Sequence, residues 1–245
     1  MVKDILFIGS SIVAGLFGID WISKLPPKDG FKYHNYGING AQVPTIINLI
    51  QSNKISVKPH AIVIMVGGND VTNSVPIEKY GGFMSERHGR PRTNPKQYGE
   101  EMEELIVLIE KKWGSISIGL FNLKPQSEKV DGHLNRIVRE FNDSLYLLSQ
   151  KHSQITYLDM YSKMIEALDG HEPSPKADDI EYVVDVGRML YVQVMRILTL
   201  GAYTLNSYSD ARQFYLYCDG LHFNERAGDI VLKVIHPYIE KITSL

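Results

Sequence analysis

The sequence predicts an α/β protein built as a three-layer sandwich, with a five-stranded parallel sheet covered by helices on both faces. Apolar runs of strand length alternate along the chain with amphipathic runs of helix length, which is the pattern of β-α-β units around a parallel sheet. The strand runs are largely apolar, as in Ile62-Val63-Ile64, which is typical of strands buried on both faces. A length of 245 residues with 44% hydrophobic side chains is enough for one large core.

Five segments have the composition of strands, and five have the periodicity of helices. The predicted strands are 4–8, 31–36, 61–66, 115–121 and 155–160. The predicted helices are 11–24, 43–51, 95–112, 134–151 and 225–242. The third of these helices is the best defined, because Asn94 is a good N-cap and Pro95 suits the first helical position.

We expect a single domain over residues 1–245, with a helical insertion at about 171–213. Within the insertion, an apolar helical stretch at 180–205 contains Arg188, Gln193 and Arg196, which exclude a membrane span. This stretch is expected to pack on the body of the domain, with a lid or a membrane-touching face as the alternative. Residues 71–93 are predicted to form a long loop that either faces the substrate or is a solvated insertion.

The charge balance and the single cysteine argue against several classes of protein. Lys and Arg total 26 against 28 Asp and Glu, with no long run of one sign, so nucleic acid is not an expected partner. Cys218 is the only cysteine and can form neither an internal disulfide nor a thiolate metal site. No segment has the roughly 18 uncharged apolar residues of a transmembrane helix, and the oligomeric state is left open.

The apolar stretch 5–19 near the N-terminus has the outline of a secretory signal. However, Asp4 puts a negative charge where a signal carries positive charge, and Gly9, Ser10 and Ser11 interrupt the apolar run. A first strand followed by a helix is therefore the favoured interpretation. We expect a cytoplasmic protein, with secretion as the alternative.

A pair of serines follows the first predicted strand and opens the first predicted helix. Ser10 and Ser11 thus lie at the carboxyl end of a strand, where ligands bind in open α/β sheets. They also lie at a helix N-terminus, whose free N–H groups favour negative charge. Taken alone, a serine N-cap explains this segment. Residues 9–15 lack the lysine of a P-loop and the glycine spacing of a dinucleotide site, so nucleotide binding is not expected.

Glycines and a side-chain amide follow the next two predicted strands. Gly37 and Gly40 come after the second strand, and Gly67-Gly68-Asn69-Asp70 comes after the third. Asn69 can offer its amide N–H at the same edge of the sheet. Tight turns alone would also account for both segments.

An aspartate and a histidine three residues apart precede the last predicted helix. Asp219 can accept the Nδ1–H of His222, which would fix the imidazole tautomer and leave Nε2 free as a base. A purely structural pair would look the same. The other seven histidines form no close pairing with metal-ligand spacing, so neither a metal nor another cofactor is expected.

Taken in order, these four segments resemble the four sequence blocks of the SGNH, or GDSL-type, hydrolase family. The matching runs are Phe7-Ile8-Gly9-Ser10-Ser11, Asn35-x-Gly-Ile-x-Gly40, Gly67-Gly68-Asn69-Asp70 and Asp219-Gly-Leu-His222-Phe-Asn-Glu-Arg-Ala-Gly228. The resemblance extends from Ile5 to Gly228. It implies the flavodoxin-like fold of that family.

The resemblance also implies an activity, the hydrolysis of a small-molecule carboxylic ester through an acyl-enzyme, as by a lipase, acylhydrolase or esterase. Ser11 would be the nucleophile and His222 its base, oriented by Asp219. The N–H groups of Ser11 and Gly40 and the amide of Asn69 would form the oxyanion hole. The family usually has Asp before the nucleophile, where this chain has a serine, and we expect that serine to cap the helix or bond to the turn.

Two alternatives to a hydrolase remain open from the sequence. An acyltransferase would pass the acyl group from Ser11 to an alcohol instead of water. A non-catalytic binding module would keep the scaffold without the reaction, although the intact site residues argue against it. The natural ester and its acyl chain length are not predicted.

Overall fold

The structure is a computed structural model that describes residues 2–52, 54–74, 93–175, 177, 186–199 and 201–244. Most of the loop predicted at 71–93 lies outside the described residues, and so does the first part of the apolar stretch predicted at 180–205.

Five parallel strands form one sheet in the order β2-β1-β3-β4-β5. The strands are β1 (Lys3–Gly9), β2 (Phe31–Gly37), β3 (Pro59–Met65), β4 (Ser117–Phe121) and β5 (Ile155–Leu158). This confirms the predicted five-stranded parallel sheet. The chain places β2 on one side of β1 and β3 on the other. The carboxyl ends of β1 and β3 therefore form the edges of the crevice where ligands bind in open α/β sheets.

Helices cover both faces of the sheet. They are α1 (Ser11–Ala14), α2 (Val43–Gln51), α3 (Gly68–Ser74), α4 (Pro95–Trp113), α5 (His133–Lys151), α6 (Met160–Leu168), α7 (Val186–Leu198), α8 (Leu205–Asp210) and α9 (Glu225–Thr243). Within the described residues, no helix combines the length and apolar character needed to cross a membrane.

Alternate residues of each strand enter two separate apolar cores, because side chains of a strand point to opposite faces in turn. Leu6 and Ile8 of β1 belong to the core that packs against α2, α4 and α5. Ile5 and Phe7 belong to the other core, with residues of α6, α8 and α9. The central strands β1 and β3 are therefore buried on both faces, as their apolar sequences predict, whereas the edge strand β2 is only partly buried.

The predicted helix 11–24 is wrong, because α1 is a single turn that ends at Ala14. Gly15 follows in the left-handed conformation with φ of 67°, and its N–H donates to the Ser11 carbonyl. The chain then folds back, so that the Trp21 indole N–H donates to the Ile12 carbonyl at 3.0 Å. A short 3-10 turn, Ile22–Lys24, is the only other helical part of that predicted range.

Among the described residues, the helices α3 and α6 were not predicted. The predicted strand 155–160 ends at Leu158, because the Asp159 side chain caps α6 by accepting the N–H of Ser162. In the predicted insertion, the Gln193 side chain of α7 donates to the Leu16 carbonyl at 3.2 Å. This contact joins α7 to the segment that follows α1.

Candidate active site

Five residues singled out in the sequence occupy loops and helix starts around the carboxyl edge of the sheet. Ser11 is the first residue of α1, directly after β1, and Asn69 is in the first turn of α3, after β3. Gly40 follows β2, and Asp219 and His222 lie in the turn before α9. The fold thus brings together segments from the two ends of the chain.

Three of these side chains form a continuous hydrogen-bonded chain. Ser11 Oγ lies 3.0 Å from His222 Nε2, and His222 Nδ1 lies 2.6 Å from Asp219 Oδ2. Ser11 is 8% exposed and Asp219 is 3% exposed. The serine hydroxyl therefore has a base within hydrogen-bonding distance, and that base has a buried carboxylate behind it.

The turn from Asp219 to His222 is held by its own aspartate. Asp219 Oδ1 accepts the backbone N–H of Leu221 at 2.9 Å and that of His222 at 2.6 Å. Burial raises the pKa of the Asp219 carboxyl, but the imidazole and these N–H groups outweigh burial and leave the pKa below its ordinary value. Asp219 is thus a buried carboxylate that accepts from His222.

Close backbone contacts position Ser11, and glycines make them possible. A Cβ on Gly9 would lie 2.1 Å from the Met65 carbonyl oxygen, and one on Gly37 would lie 2.1 Å from the Ala14 nitrogen. The end of β2 therefore packs directly on α1. The Asn35 side chain strengthens this contact by donating to the Val13 carbonyl at 2.8 Å.

Of the two adjacent serines, Ser11 is the one whose hydroxyl contacts His222. Ser10 occupies the N-cap position of α1, but its side chain makes no capping hydrogen bond, so the predicted cap by this side chain is wrong. Its backbone carbonyl instead accepts the N–H groups of Val13 and Ala14, each at 3.0 Å. The start of α1 is therefore defined by backbone hydrogen bonds and not by a side-chain cap.

The three predicted oxyanion donors belong to neighbouring segments. The N–H of Ser11 is at the first position of a helix, where no intrahelical acceptor exists. Gly40 adopts φ of 75° in the turn after β2. The Asn69 amide nitrogen donates one hydrogen to the Ala41 carbonyl at 2.8 Å, and the amide has a second hydrogen to offer.

Two charged residues near this site were not anticipated from the sequence, Lys124 and Glu128 in the loop between β4 and α5. They are 5% and 4% exposed. Burial lowers the pKa of Lys124 to about 7, although Asp219 and Glu128 act to raise it. No sequence signal identified them, because lysine and glutamate in a loop are normally solvated.

A further contact involves an aromatic ring. The rings of Phe17 and His222 have centroids 5.5 Å apart, so Phe17 packs beside the imidazole. Among the residues that the structure describes, no group of three histidine, cysteine or acidic side chains is arranged to hold a metal ion.

Solved structures with the same fold are known. An acetylxylan esterase from Geobacillus stearothermophilus shares 16% identity, with a TM-score of 0.61 over 98% of this chain and 94% of that one. A member of the lipolytic G-D-S-L family from Veillonella parvula shares 19% identity, with a TM-score of 0.56 over 96% and 97%. An α/β hydrolase enzyme from the metagenome of Lake Arreo shares 14%, with a TM-score of 0.64 over 100% and 97%. A search of curated proteins found no match.

The fold is that of the SGNH hydrolases, with a five-stranded parallel sheet between helical layers. The sequence matches the GDSL-like lipase/acylhydrolase family over residues 5–235. The chain therefore belongs to that family, and it is a carboxylic ester hydrolase. Membership implies small-molecule esters as substrates.

Proposed function

We propose that the protein cleaves carboxylic esters as a serine hydrolase, with an acyl-enzyme on Ser11 as the intermediate. The observation that carries this proposal is the hydrogen-bonded chain from Ser11 Oγ through His222 to Asp219, with distances of 3.0 and 2.6 Å. A serine hydroxyl is a weak nucleophile until a neighbouring base removes its proton. His222 is the base within reach, and the carboxylate behind it fixes the tautomer that leaves Nε2 free.

In the first half of the reaction, Ser11 Oγ attacks the ester carbonyl carbon while His222 Nε2 takes the hydroxyl proton. The carbonyl π electrons move to its oxygen, which becomes the oxyanion. When the tetrahedral intermediate collapses, the bond to the alcohol oxygen breaks, and the imidazolium returns its proton to that oxygen. The products of this half are a free alcohol and an ester between the acyl group and Ser11.

Stabilisation of the oxyanion is assigned to the N–H groups of Ser11 and Gly40 and to the second hydrogen of the Asn69 amide. Pre-organised donors of this kind stabilise charge that develops in the transition state. The bond from Asn69 to the Ala41 carbonyl supports this role, because it fixes the amide plane beside Gly40.

In the second half, water replaces the alcohol. His222 takes a proton from water as the water oxygen attacks the acyl carbon, and then returns the proton to Ser11 Oγ as the carboxylic acid leaves. The enzyme is regenerated without any net change in its protonation.

The proposal is tested by fluorophosphonate labelling and by turnover of p-nitrophenyl acetate, an acetyl ester chosen because one structural relative is an acetylxylan esterase. Ser11→Ala is expected to lose labelling and to lower kcat by at least about 10⁴-fold. Ser10→Ala is the matched control and is expected to keep kcat within a few-fold, because its hydroxyl does not contact His222.

Two results would contradict the proposal. Wild-type protein that does not react with the fluorophosphonate would behave as a binding module. Retained turnover in Ser11→Ala, together with loss in Ser10→Ala, would show that the nucleophile is misassigned.

A further inference from the structure

The carboxylate of Glu128 binds three consecutive backbone N–H groups just before the Asp219 turn. Oε1 accepts the N–H groups of Tyr215 at 3.0 Å, Leu216 at 2.6 Å and Tyr217 at 3.1 Å. Oε2 accepts the N–H of Tyr215 at 2.8 Å. A buried carboxylate with this many backbone donors holds the donating segment in one place, because each unmatched N–H would be costly.

Tyr217 is held at two further points by the same loop. Its hydroxyl donates to the Pro125 carbonyl at 2.5 Å. The Lys124 ammonium nitrogen lies 4.4 Å from the centre of its ring. The segment before the Asp219 turn is thus fixed through backbone, ring and hydroxyl at once.

The loop that carries Glu128 is itself anchored to α5. Asn135 Oδ1 accepts the N–H of Gln126 at 2.9 Å, and its amide donates to the carbonyls of Ser127 at 2.7 Å and Lys129 at 3.0 Å. Asn135 is fully buried. The glutamate therefore projects from a rigid support rather than from a free loop.

The segment bound by Glu128 is one side of a short hairpin whose tip carries Asp219 and His222. Tyr217 pairs antiparallel with Phe223. The Cys218 N–H donates to the His222 carbonyl at 2.9 Å, and the Asn224 N–H donates to the Leu216 carbonyl at 3.0 Å. Displacing residues 215–217 would therefore move the whole tip.

We propose that Glu128 is a positioning residue that sets the distance between His222 and Ser11. The bond from Asp219 to His222 is local to the hairpin tip and survives if the tip moves as a unit. The contact with Ser11 is different, because that residue lies on α1, outside the hairpin, and the contact depends on where the hairpin is placed. This role rests on the proposed function, in which His222 activates Ser11.

The test uses Glu128→Gln and Glu128→Ala in the full-length protein, with p-nitrophenyl acetate as substrate, well below the melting temperature. Glu128→Gln keeps one acceptor oxygen and puts an NH₂ group where Oε2 was, so kcat is expected to fall about tenfold. Glu128→Ala loses both oxygens and is expected to lose about 100-fold, the effect of a displacement of about 1 Å. KM should stay within about twofold of the wild-type value, because Glu128 contacts residues 215–217 and not the hairpin tip.

A second measurement, the pH dependence of activity, separates a displacement of His222 from damage to His222 as a base. The pH at which activity falls to half should be unchanged in Glu128→Gln, because Asp219 and His222 move together. Ile109→Ala is the stability control, since Ile109 is buried on α4, in the core on the face of the sheet away from α9, and not on the helix that anchors the Glu128 loop. It should lower the melting temperature without lowering kcat per folded molecule.

The outcomes are distinct. Glu128→Gln with wild-type kcat, or with a loss that Ile109→Ala reproduces, overturns the positioning role and leaves the proposed function intact. Wild-type turnover that does not depend on Ser11 overturns the proposed function and the positioning role with it. If Glu128→Ala does not fold, the kcat of Glu128→Gln decides the question.

Discussion

Among the residues that the structure describes, Lys124 is in an unusual environment, because its side chain is buried and a lysine side chain rarely is. Its ammonium nitrogen donates to the Pro125 carbonyl at 3.1 Å and to the Gln126 side chain at 2.7 Å. Desolvation of a cation is expensive, which is why the pKa of Lys124 falls to about 7. A group with such a shift makes the stability of the fold depend on pH.

The sign of that dependence follows from the lowered pKa. Lysine in an unfolded chain has a pKa of about 10.4, so between about pH 7 and 10 the unfolded chain binds more protons than the folded one. We therefore expect the contribution of Lys124 to the free energy of unfolding to rise with pH in this window, by at most about 1.4 kcal/mol per pH unit.

Lys124→Met should remove this contribution. Urea unfolding of both proteins between pH 7 and 9 measures it, and titrating groups that do not interact with Lys124 cancel in the comparison. The difference in unfolding free energy, wild type minus variant, should increase steadily over that range. A constant difference would mean that the buried lysine stays protonated throughout.

At the scale of elements, the sequence predicted the strands well, and it predicted helices wherever an apolar stripe was long. The start of α4 follows from Asn94 and Pro95, which act locally. The error at α1 has a tertiary cause, because a left-handed Gly15 and the packing of β2 on α1 end a helix that periodicity would continue. The helix α6 was missed because Asp159, its cap, follows an apolar run that reads as strand.

Five residues of the candidate site could also be predicted from the sequence. Ser11, Gly40, Asn69, Asp219 and His222 lie within short motifs at element ends, and the four motifs taken in order identify them although none does so alone. Glu128 was not predictable, because its partner Tyr215 is 87 residues away. A charge that is buried by distant segments has the same local sequence as one that is solvated.

Gly37→Ala tests the packing of β2 on α1. The added Cβ would meet backbone atoms of Ala14 at 2.1 and 2.5 Å, and backbone cannot rotate away as a side chain can. We expect a loss of about 1–3 kcal/mol in unfolding free energy, as for overpacked cores, together with a lower kcat because α1 begins with Ser11.

The control for Gly37→Ala is Gly114→Ala. Gly114 has φ of 82° with no atom within 4 Å of an added Cβ, so alanine there strains only its own backbone. It should cost about 1 kcal/mol or more and leave kcat unchanged. Chemical denaturation and ester turnover on both variants would show whether activity follows α1 or merely stability.

At the scale of the whole molecule, two buried carboxyls at or near the candidate site also affect the stability of the fold. Asp219 is ionised in the folded state with a lowered pKa, whereas burial raises the pKa of Glu128 against the pull of its backbone donors and Lys124. The two carboxyls therefore affect acid stability in opposite directions.

The contribution of Asp219 to the free energy of unfolding decreases as the pH falls, as in acid denaturation. Because the folded pKa lies below the unfolded value of about 3.9, its stabilising contribution is present above that value and is lost as pH falls through the folded pKa. Asp219→Asn should therefore show a shallower loss of melting temperature between pH 5 and 3 than wild type, which scanning calorimetry measures. An equal or steeper loss would contradict an ionised, stabilised Asp219.

The long separation between Ser11 and His222 has a consequence during synthesis. The two residues are 211 positions apart, and ribosomes add about 5–20 residues per second, so about 10–40 s pass between the appearance of the hydroxyl and that of its base. Throughout that interval the Ser11 hydroxyl of a nascent chain has no base to activate it. We therefore expect no ester hydrolysis by the chain until the hairpin has been translated and has docked.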